Sequence, residues 1–460
     1  MAPRLFPLPL TPFERHMLND EAPGYPMTCM MQMGMVGTMD RQLFSNAFAD
    51  VVRQHPLLRA RIDGASSGRP RWVEYAEKES RLHWPAERAS ESRIIRDPMD
   101  PTQEPGFRLV VFQDGQRTRV TMVYHHACCD GIGAGRFLDD LLTAYHRRAT
   151  GAPSPTAEAA TDVPRLLRRG RAPLMGWFPV RLTQEIRTFV KEGHHWLCHP
   201  VTPLGRPQSP LEQSPDNDSL SDYPTHVLSE TESAVLLTLA RQLGVTLNDF
   251  LLTALFQTLE DWNARYAPET VTPWLRISVP QNLREEADRR LPAANKVTMC
   301  FLTRTHAVCR QPTHLLASIH REMASARRWL RGKGLLRAFH LLQTIPGLAD
   351  KVLRRGRCLC TTVMSNLGDY DRWFGNSLPR EGRLLRCGDL RLQTITALSP
   401  VRPKTHAAFF LASYAGQLQI SLRRDPHTLT QDQAQQLLAQ FLEHIRNLAQ
   451  EWDASAPTGG

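Results

Sequence analysis

One stretch limits the folds open to this chain: a β-strand that ends in two adjacent histidines and breaks at a glycine-containing turn. Residues 120–126 are rich in β-branched and aromatic residues, which is typical of a strand. Asp130 and Gly131 then form a turn dipeptide, and helical periodicity follows. Because successive strand side chains point to opposite faces, His125 and His126 cannot share one environment. The stretch predicts an α/β unit in which one histidine faces a cleft as a base and the other packs.

The residues before this strand predict how it is held in a sheet. Two apolar runs flank Asp114-Gly115, a dipeptide preferred in short hairpin turns, and the second run leads into the histidine pair. At 460 residues the chain is long enough for two to three domains. A Ser-, Asp- and Pro-rich change of composition between residues 151 and 225 predicts the boundary between two halves.

The nine cysteines predict neither a disulfide framework nor a strong metal site. They are odd in number and scattered, and they lack a Cys-x-x-Cys pair, which favours reduced and mostly buried thiols. A zinc site built from His125, His126 and Cys128 is the sharper alternative. Strand geometry splays the two histidines apart and no second ligand cluster stands out, so we expect no metal.

The charge and the hydropathy pattern restrict the partners. A net charge of +10, from 56 basic less 46 acidic residues, can attract nucleic acid, acidic proteins or a phosphorylated cofactor. The basic residues are spread out and no nucleic-acid module accompanies them, so we expect no nucleic acid. The sequence has no run of 18 or more apolar residues, so no membrane span is expected. Prolines interrupt the apolar start of the chain, so no signal peptide is expected there. A cytoplasmic location is the default expectation.

The sequence His125-His126-x-x-x-Asp130-Gly131 resembles the His-His-x-x-x-Asp-Gly signature of the acyltransferase superfamily related to chloramphenicol acetyltransferase. That superfamily includes condensation domains of nonribosomal peptide synthesis and stand-alone acyltransferases of polyketide and lipid pathways. Further matches follow in the family's order: the phrase at 281–284, the strand introduced by Asn295, and the Ser-Asn-Leu-Gly strand end at 365–368. The resemblance spans nearly the whole chain.

The start of the chain departs from the peptide-forming members. Thr11, Pro12 and Glu14 predict a capped helix. Condensation domains often open with a similar Leu-Thr-Pro-x-Gln phrase, but here Glu14 replaces the glutamine, as in stand-alone members. The chain carries no recognisable carrier or adenylation segment, so we expect a free-standing enzyme that acts as a monomer.

The resemblance implies an α/β fold of two chloramphenicol acetyltransferase-like subdomains arranged in a V, each a mixed sheet with flanking helices. An active-site channel is expected at their interface, with His126 near its middle. The predicted limits are a first subdomain at 1–180, a linker at 181–224, a second subdomain at 225–453 and a disordered tail at 454–460.

The resemblance also implies roles for the site residues. His126 is expected to be the general base in transfer of an acyl group from a thioester to a hydroxyl or amine, without a covalent acyl-enzyme. Asp130 is expected to pair with Arg284 and fix the loop, while His125 is structural. Gly131 is expected to keep the approach of the thioester clear. Ser365, Asn366 or backbone amides near Gly131 are candidates for the oxyanion donor, and the sequence does not choose among them.

The expected donor is a phosphopantetheine thioester, on either an acyl or peptidyl carrier protein or coenzyme A, and no cofactor is expected to be tightly bound. The methionine-rich residues 27–37 predict a core strand, with a malleable wall for an acyl chain as the alternative. Two other functions stay open: a non-catalytic module that recruits carrier proteins, and a metal-dependent hydrolase.

Overall fold

The computed structural model of the chain describes residues 5–65, 68–76, 80–152, 161–170, 199–207, 220, 222–268, 272–329, 358–372 and 378–455. The predicted linker at 181–224 lies largely outside these residues, as does the tail from 456. The two larger sheets described below are mixtures of parallel and antiparallel strands with helices packed beside them, so the predicted α/β class is confirmed.

The first half of the chain forms most of a seven-stranded sheet, a small three-stranded sheet and four helices. The helices are α1 (Pro12–Asp20), α2 (Arg41–Val52), α3 (Arg88–Arg96) and α4 (Gly131–Thr150). The strands are β1 (Leu8–Pro9), β2 (Thr28–Val36), β3 (Ala60–Asp63), β4 (Arg71–Glu74), β5 (Leu82–His83), β6 (Phe107–Asp114) and β7 (Arg117–His125). Strands β1, β4 and β3 make the small sheet.

The second half forms another sheet and five further helices in the described residues. The helices are α5 (Glu230–Gln242), α6 (Leu247–Tyr266), α7 (His306–Cys309), α8 (Pro312–Trp329) and α9 (Gln431–Ser455). The strands are β8 (Thr225–Val227), β9 (Trp274–Asn282), β10 (Val297–Thr305), β11 (Thr362–Asp369), β12 (Arg380–Glu381), β13 (Leu384–Cys387), β14 (Leu390–Leu398), β15 (Ala407–Tyr414) and β16 (Gln417–Arg424).

The sheet order shows that the second half contributes three strands to the sheet of the first half. The second sheet runs β10-β9-β11-β15-β16-β8, but the first runs β12-β13-β14-β2-β7-β6-β5. Residues 380–398 therefore return to the first sheet, where β14 pairs antiparallel with β2. The V of two subdomains is present, and it is held together by this excursion as well as by side-chain packing. The numerical domain limits stay predictions.

Local sequence signals account for the elements that carry the motif. The β6–β7 hairpin turns at Gly115, whose φ of +55° is one that glycine adopts readily. The Thr11 hydroxyl accepts from the Glu14 amide and the Thr11 amide donates to the Glu14 carboxylate, so the predicted capping box is present. The methionine-rich strand β2 is core: Met30, Met31 and Met33 are fully buried. The alternative of an acyl wall along this strand is therefore wrong for these three side chains.

Besides capping α1, Glu14 binds a buried arginine and a tryptophan. Its buried carboxylate accepts two hydrogen bonds from Arg169, at 2.8 and 2.9 Å, and one from the Trp72 indole at 3.1 Å. A carboxylate at this position satisfies the guanidinium, whereas a glutamine would leave the Arg169 charge without a buried counter-ion. The replacement that the sequence marks as a family difference is thus explained by a partner 155 residues away.

Asp139 on α4 makes the stability of the fold depend on pH. Burial raises the pKa of its carboxyl to about 7, with Asp140 adding to the rise and Arg136 opposing it. A folded-state pKa above the unfolded value stabilises the fold below pH 4, and that contribution is lost as the pH rises towards 7. We expect Asp139→Asn to stabilise the protein more at pH 8 than at pH 5, by about 2–3 kcal/mol.

Denaturant unfolding at the two pH values measures this difference. The exposed turn substitution Asp114→Asn serves as the control and is expected to show no such pH dependence. An Asp139→Asn effect of equal size at both pH values would show that the Asp139 carboxyl titrates normally.

Candidate active site

The histidine pair lies at the end of β7, where the chain turns into α4. The backbone amide of His126 donates to the Met27 carbonyl at 2.7 Å. From the second half, the side-chain amide of Asn295 donates to the backbone carbonyls of His126 and Ala127, both at 2.8 Å. The peptide groups on either side of His126 are therefore held by both halves of the chain, which fixes the position of the ring.

The His126 ring lines a cavity of about 670 Å³ between the two halves. Phe13 of α1 packs against it edge-on, with ring centroids 5.5 Å apart. Burial lowers the pKa of His126 below its usual 6.5, and its own backbone carbonyl and Asp130 partly oppose this shift. A lowered pKa keeps the imidazole neutral at pH 7, and a neutral ring can accept a proton.

His125 points to the other side of the strand and is fully buried. Its Nδ1 accepts a hydrogen bond from the Ala127 amide at 3.1 Å, which assigns the ring proton to Nε2. Nε2 then donates to the Glu21 carboxylate at 3.1 Å, and the same carboxylate accepts from the Met27 amide at 2.7 Å. Because both ring nitrogens are occupied, His125 braces the turn that positions its neighbour.

Asp130 and Arg284 form the ion pair that the resemblance implies. Two guanidinium nitrogens of Arg284 donate to the two carboxylate oxygens at 2.9 Å each, a bidentate geometry. Asp130 also caps α4 by accepting from the Gly133 amide and accepts from the Lys296 amide, both at 2.8 Å. This carboxylate is saturated with donors from both halves, so it supports the motif loop and is not available to orient an imidazole.

Two glycines allow α4 to begin so close to the second half. A Cβ on Gly133 would lie 2.8 Å from the Ala294 carbonyl oxygen, a backbone atom that cannot move aside. A Cβ on Gly131 would meet the side-chain methyls of Leu367 at 3.0 Å. The nearest obstacle to a side chain at Gly131 is therefore the flexible side chain of Leu367. Gly133, for which the sequence predicts no role, has the stricter requirement for glycine, because its neighbour is backbone.

The candidate oxyanion donors all lie at the cavity. The Asn366 amide nitrogen donates to the Asn248 side chain at 3.1 Å, and its oxygen accepts from the Gly368 amide at 2.8 Å. Asn366 is thus engaged in shaping the strand end. Ser365 also lines the cavity, as do Gly131 and the following residue at the start of α4. Asn366 lines the cavity as well, and its Nδ2 keeps a second N–H, so the candidates named from the sequence all stay predictions.

A cluster of three polar side chains lies on the same cavity and is not predicted from the sequence. His16 and Asp20 stand one helical turn apart on α1, and Arg402 donates to Asp20 at 2.6 Å. Burial lowers the pKa of His16 to about 4. The i, i+4 spacing on an amphipathic helix is the only local signal. The partner of Asp20, 382 residues away, could not be found from sequence spacing.

The zinc alternative is not supported by the side-chain geometry. Both ring nitrogens of His125 are hydrogen-bonded to protein groups, and Cys128 is fully buried. Burial also raises the pKa of the Cys128 thiol, which disfavours the thiolate that zinc requires. Among the described residues, no group of three or more His, Cys, Asp or Glu side chains is arranged to hold a metal ion.

The V of mixed sheets and the histidine motif at its cleft define a fold of the chloramphenicol acetyltransferase type. A family model described as "Condensation domain" matches residues 13–161. The chain is also similar in fold to a mutant of the starter condensation domain of rhizomide synthetase RzmA, solved with C8-CoA and Leu-SNAC. That match has a TM-score of 0.68 at 16% identity and covers 96% of this chain and 94% of the other.

Other solved structures resemble the chain with similar TM-scores. The first condensation domain of the calcium-dependent antibiotic synthetase, in complex with a substrate analogue, has a TM-score of 0.68 at 15% identity, with 96% of both chains covered. The X-domain from teicoplanin biosynthesis has a TM-score of 0.65 at 16% identity, covering 98% of this chain and 96% of that one. The chain therefore has the condensation-domain fold, and the resemblance predicted from the motif is confirmed.

Matches to curated sequences are weaker and partial. Bacitracin synthase 3 of Bacillus licheniformis is 27% identical over 134 residues, which cover 26% of this chain and 2% of that protein. An uncharacterized protein of Mycobacterium tuberculosis is 24% identical over 292 residues, covering 61% of this chain and 62% of its own length. The chain thus spans a small fraction of the synthase and less than two thirds of the mycobacterial protein.

In the described ranges, no single helix has the length and apolar character needed to cross a bilayer. The bent pair Glu230–Gln242 and Leu247–Tyr266 meets those requirements only when its two members are taken together.

Proposed function

We propose that this protein is an acyltransferase that moves an acyl group from a phosphopantetheine thioester to a hydroxyl or amine of a small molecule. The observation that carries the proposal is His126: a neutral imidazole, held by both halves of the chain, that faces the cavity between them. The condensation-domain fold supports the same class of reaction, since domains of this family form amide or ester bonds.

The proposed reaction begins with the acceptor. As its oxygen or nitrogen attacks the thioester carbonyl carbon, its proton passes to the His126 ring. The new C–O or C–N bond gives a tetrahedral intermediate whose oxyanion is stabilised by the Ser365 hydroxyl, the Asn366 side-chain amide or the Gly131 amide. The C–S bond then breaks, and the proton on His126 passes to the leaving sulfur, which yields the ester or amide and a free thiol. Because the thioester is already activated, the enzyme requires no covalent intermediate.

The donor is a thioester on coenzyme A or on a carrier protein. A structural relative solved with C8-CoA supports the phosphopantetheine arm as the common feature. The net charge of +10 suits either an acidic carrier protein or the phosphates of coenzyme A. The reaction chemistry at His126 is the same for both donors.

Donor assays test the proposal. Purified protein is offered acyl-coenzyme A and acyl-carrier-protein donors with pooled alcohols and amines, and products are identified by mass spectrometry. New species that carry both acyl and acceptor masses are expected with at least one donor. If no thioester is consumed while a carrier protein still binds, the chain is a recruiting module.

A further inference from the structure

The face that β10 turns to the cavity is apolar. Val297, Met299 and Phe301 alternate along the strand and line the cavity, partly exposed to it, while the intervening Thr298 and Cys300 are buried on the other face. Partly exposed apolar side chains inside a cavity lose contact with water only when something apolar covers them. We call Val297, Met299 and Phe301 the β10 wall.

The pairing of β10 gives this wall a direction relative to the motif. At the end of the wall beside the motif loop, the Lys296 amide donates a hydrogen bond to Asp130. Val297 pairs there with Asn282, which lies two residues before Arg284. Each further wall residue lies about 7 Å along the strand, because alternate residues of a strand share a face. Phe301 is therefore about 14 Å from Val297. The wall starts at the motif loop and leads away from it.

A polar group of the neighbouring strand β9 is already bonded to the wall. Ser278, which pairs with Phe301 across the ladder, donates its hydroxyl to the Met299 sulfur at 3.5 Å. Met323 of α8 lines the same cavity and is 4% exposed. Ionisable side chains also line the cavity: His16 and Asp20 on α1, Arg327 one helical turn beyond Met323 on α8, and Arg284 and Arg402.

We infer that the β10 wall binds the acyl chain of the donor thioester and that Phe301, with Met323, limits the length of chain accepted. The inference rests on the proposed function, because the reacting carbonyl must lie beside His126 and its alkyl chain must leave from there. An unbranched alkyl chain suits a strand face about 14 Å long whose three cavity-facing side chains are apolar. The favoured donors are thioesters of medium-length apolar acids.

Binding of unreactive donor analogues tests the inference without requiring turnover. S-alkyl pantetheine ethers, from ethyl to dodecyl, are titrated calorimetrically into the full chain. The association constant is expected to rise about fourfold per methylene until the chain reaches Phe301, and then to level off. Phe301→Trp is expected to move this limit to shorter chains and Phe301→Ala to longer ones, with binding of the ethyl ether changed less than twofold in both.

Opposite shifts from one position cannot arise from partial unfolding. Phe112→Ala, on a partly exposed strand position of β6 that does not line the cavity, is the matched control and is expected to leave the profile unchanged. An unchanged length limit in both Phe301 variants, or affinity independent of chain length, would overturn the inference. So would a profile that shifts only when alkylamine acceptors replace the ethers, because the wall would then bind the acceptor.

The same variants separate this inference from the proposed function. Shifted binding profiles without any acyl transfer would retain the acyl-chain site and reject the enzyme. Acyl transfer with unshifted profiles would retain the enzyme and reject the site.

Discussion

Replacing His126 with alanine is expected to lower kcat/KM for acyl transfer by about 10²–10⁴-fold, the usual contribution of a positioned general base. The peptide groups around His126 are held through backbone atoms by Met27 and Asn295, so the backbone of the loop does not depend on the ring. The donor should still bind, since no side chain of the β10 wall is altered. The loss is therefore expected in kcat, with KM close to that of the wild type.

The neighbouring histidine provides the matched control. His125→Ala removes a buried ring that bonds to Glu21 and to the Ala127 amide, and it leaves those partners unsatisfied. It is expected to lower the free energy of unfolding much more than His126→Ala does, and to lower kcat less when the protein is kept folded at low temperature. The account fails if the two substitutions lower kcat equally in folded protein.

Arg284→Ala is expected to lower the free energy of unfolding by about 3–5 kcal/mol, because it leaves the Asp130 carboxylate buried without its counter-ion. The side chains of Arg284 and Asp130 are only 11% and 6% exposed. The pair also joins the start of α4 to the second half, so the motif loop should lose its fixed position. Denaturant unfolding measures the first effect, and kcat of the folded variant measures the second.

An exposed ion pair in the same segment provides a control that separates the effect of burial from the effect of losing a positive charge. Arg289 and Glu286 form an ion pair in the same segment, with side chains 77% and 76% exposed. Arg289→Ala is expected to leave the unfolding midpoint unchanged. Combining Asp130→Asn with Arg284→Ala should cost less than the sum of the two single changes, since the uncompensated charge is then removed. Equal midpoints for the two arginine variants would contradict the role given to Asp130.

Features fixed by neighbouring residues could be predicted from the sequence. The hairpin at Asp114-Gly115 and the capping box of Thr11 and Glu14 depend on residues within a few positions of each other. The opposed directions of His125 and His126 follow from strand geometry. The pairing of Asp130 with Arg284, 154 residues apart, came only from the resemblance, because spacing alone cannot assign it.

Features that depend on how distant strands meet could not be predicted. The return of residues 380–398 to the first sheet is set by the pairing of β14 with β2. The segment that follows residues 380–398 carries Arg402. The Asp20–Arg402 pair therefore could not be predicted from the sequence either. Met31 of β2 and Met299 of the β10 wall both lie in strand sequences that contain several apolar residues. Only the packing shows that Met31 is buried whereas Met299 faces the cavity.

The measurement that tests the central claim most directly is a single-turnover reaction of wild type and His126→Ala with one acyl donor and its acceptor. Product and intact protein are both followed by mass spectrometry. The account predicts that the wild type forms the acylated acceptor with no acyl group on the protein, and that the variant binds the donor but forms almost no product. Equal product from both proteins, or an acyl group attached to the wild-type chain, would contradict it.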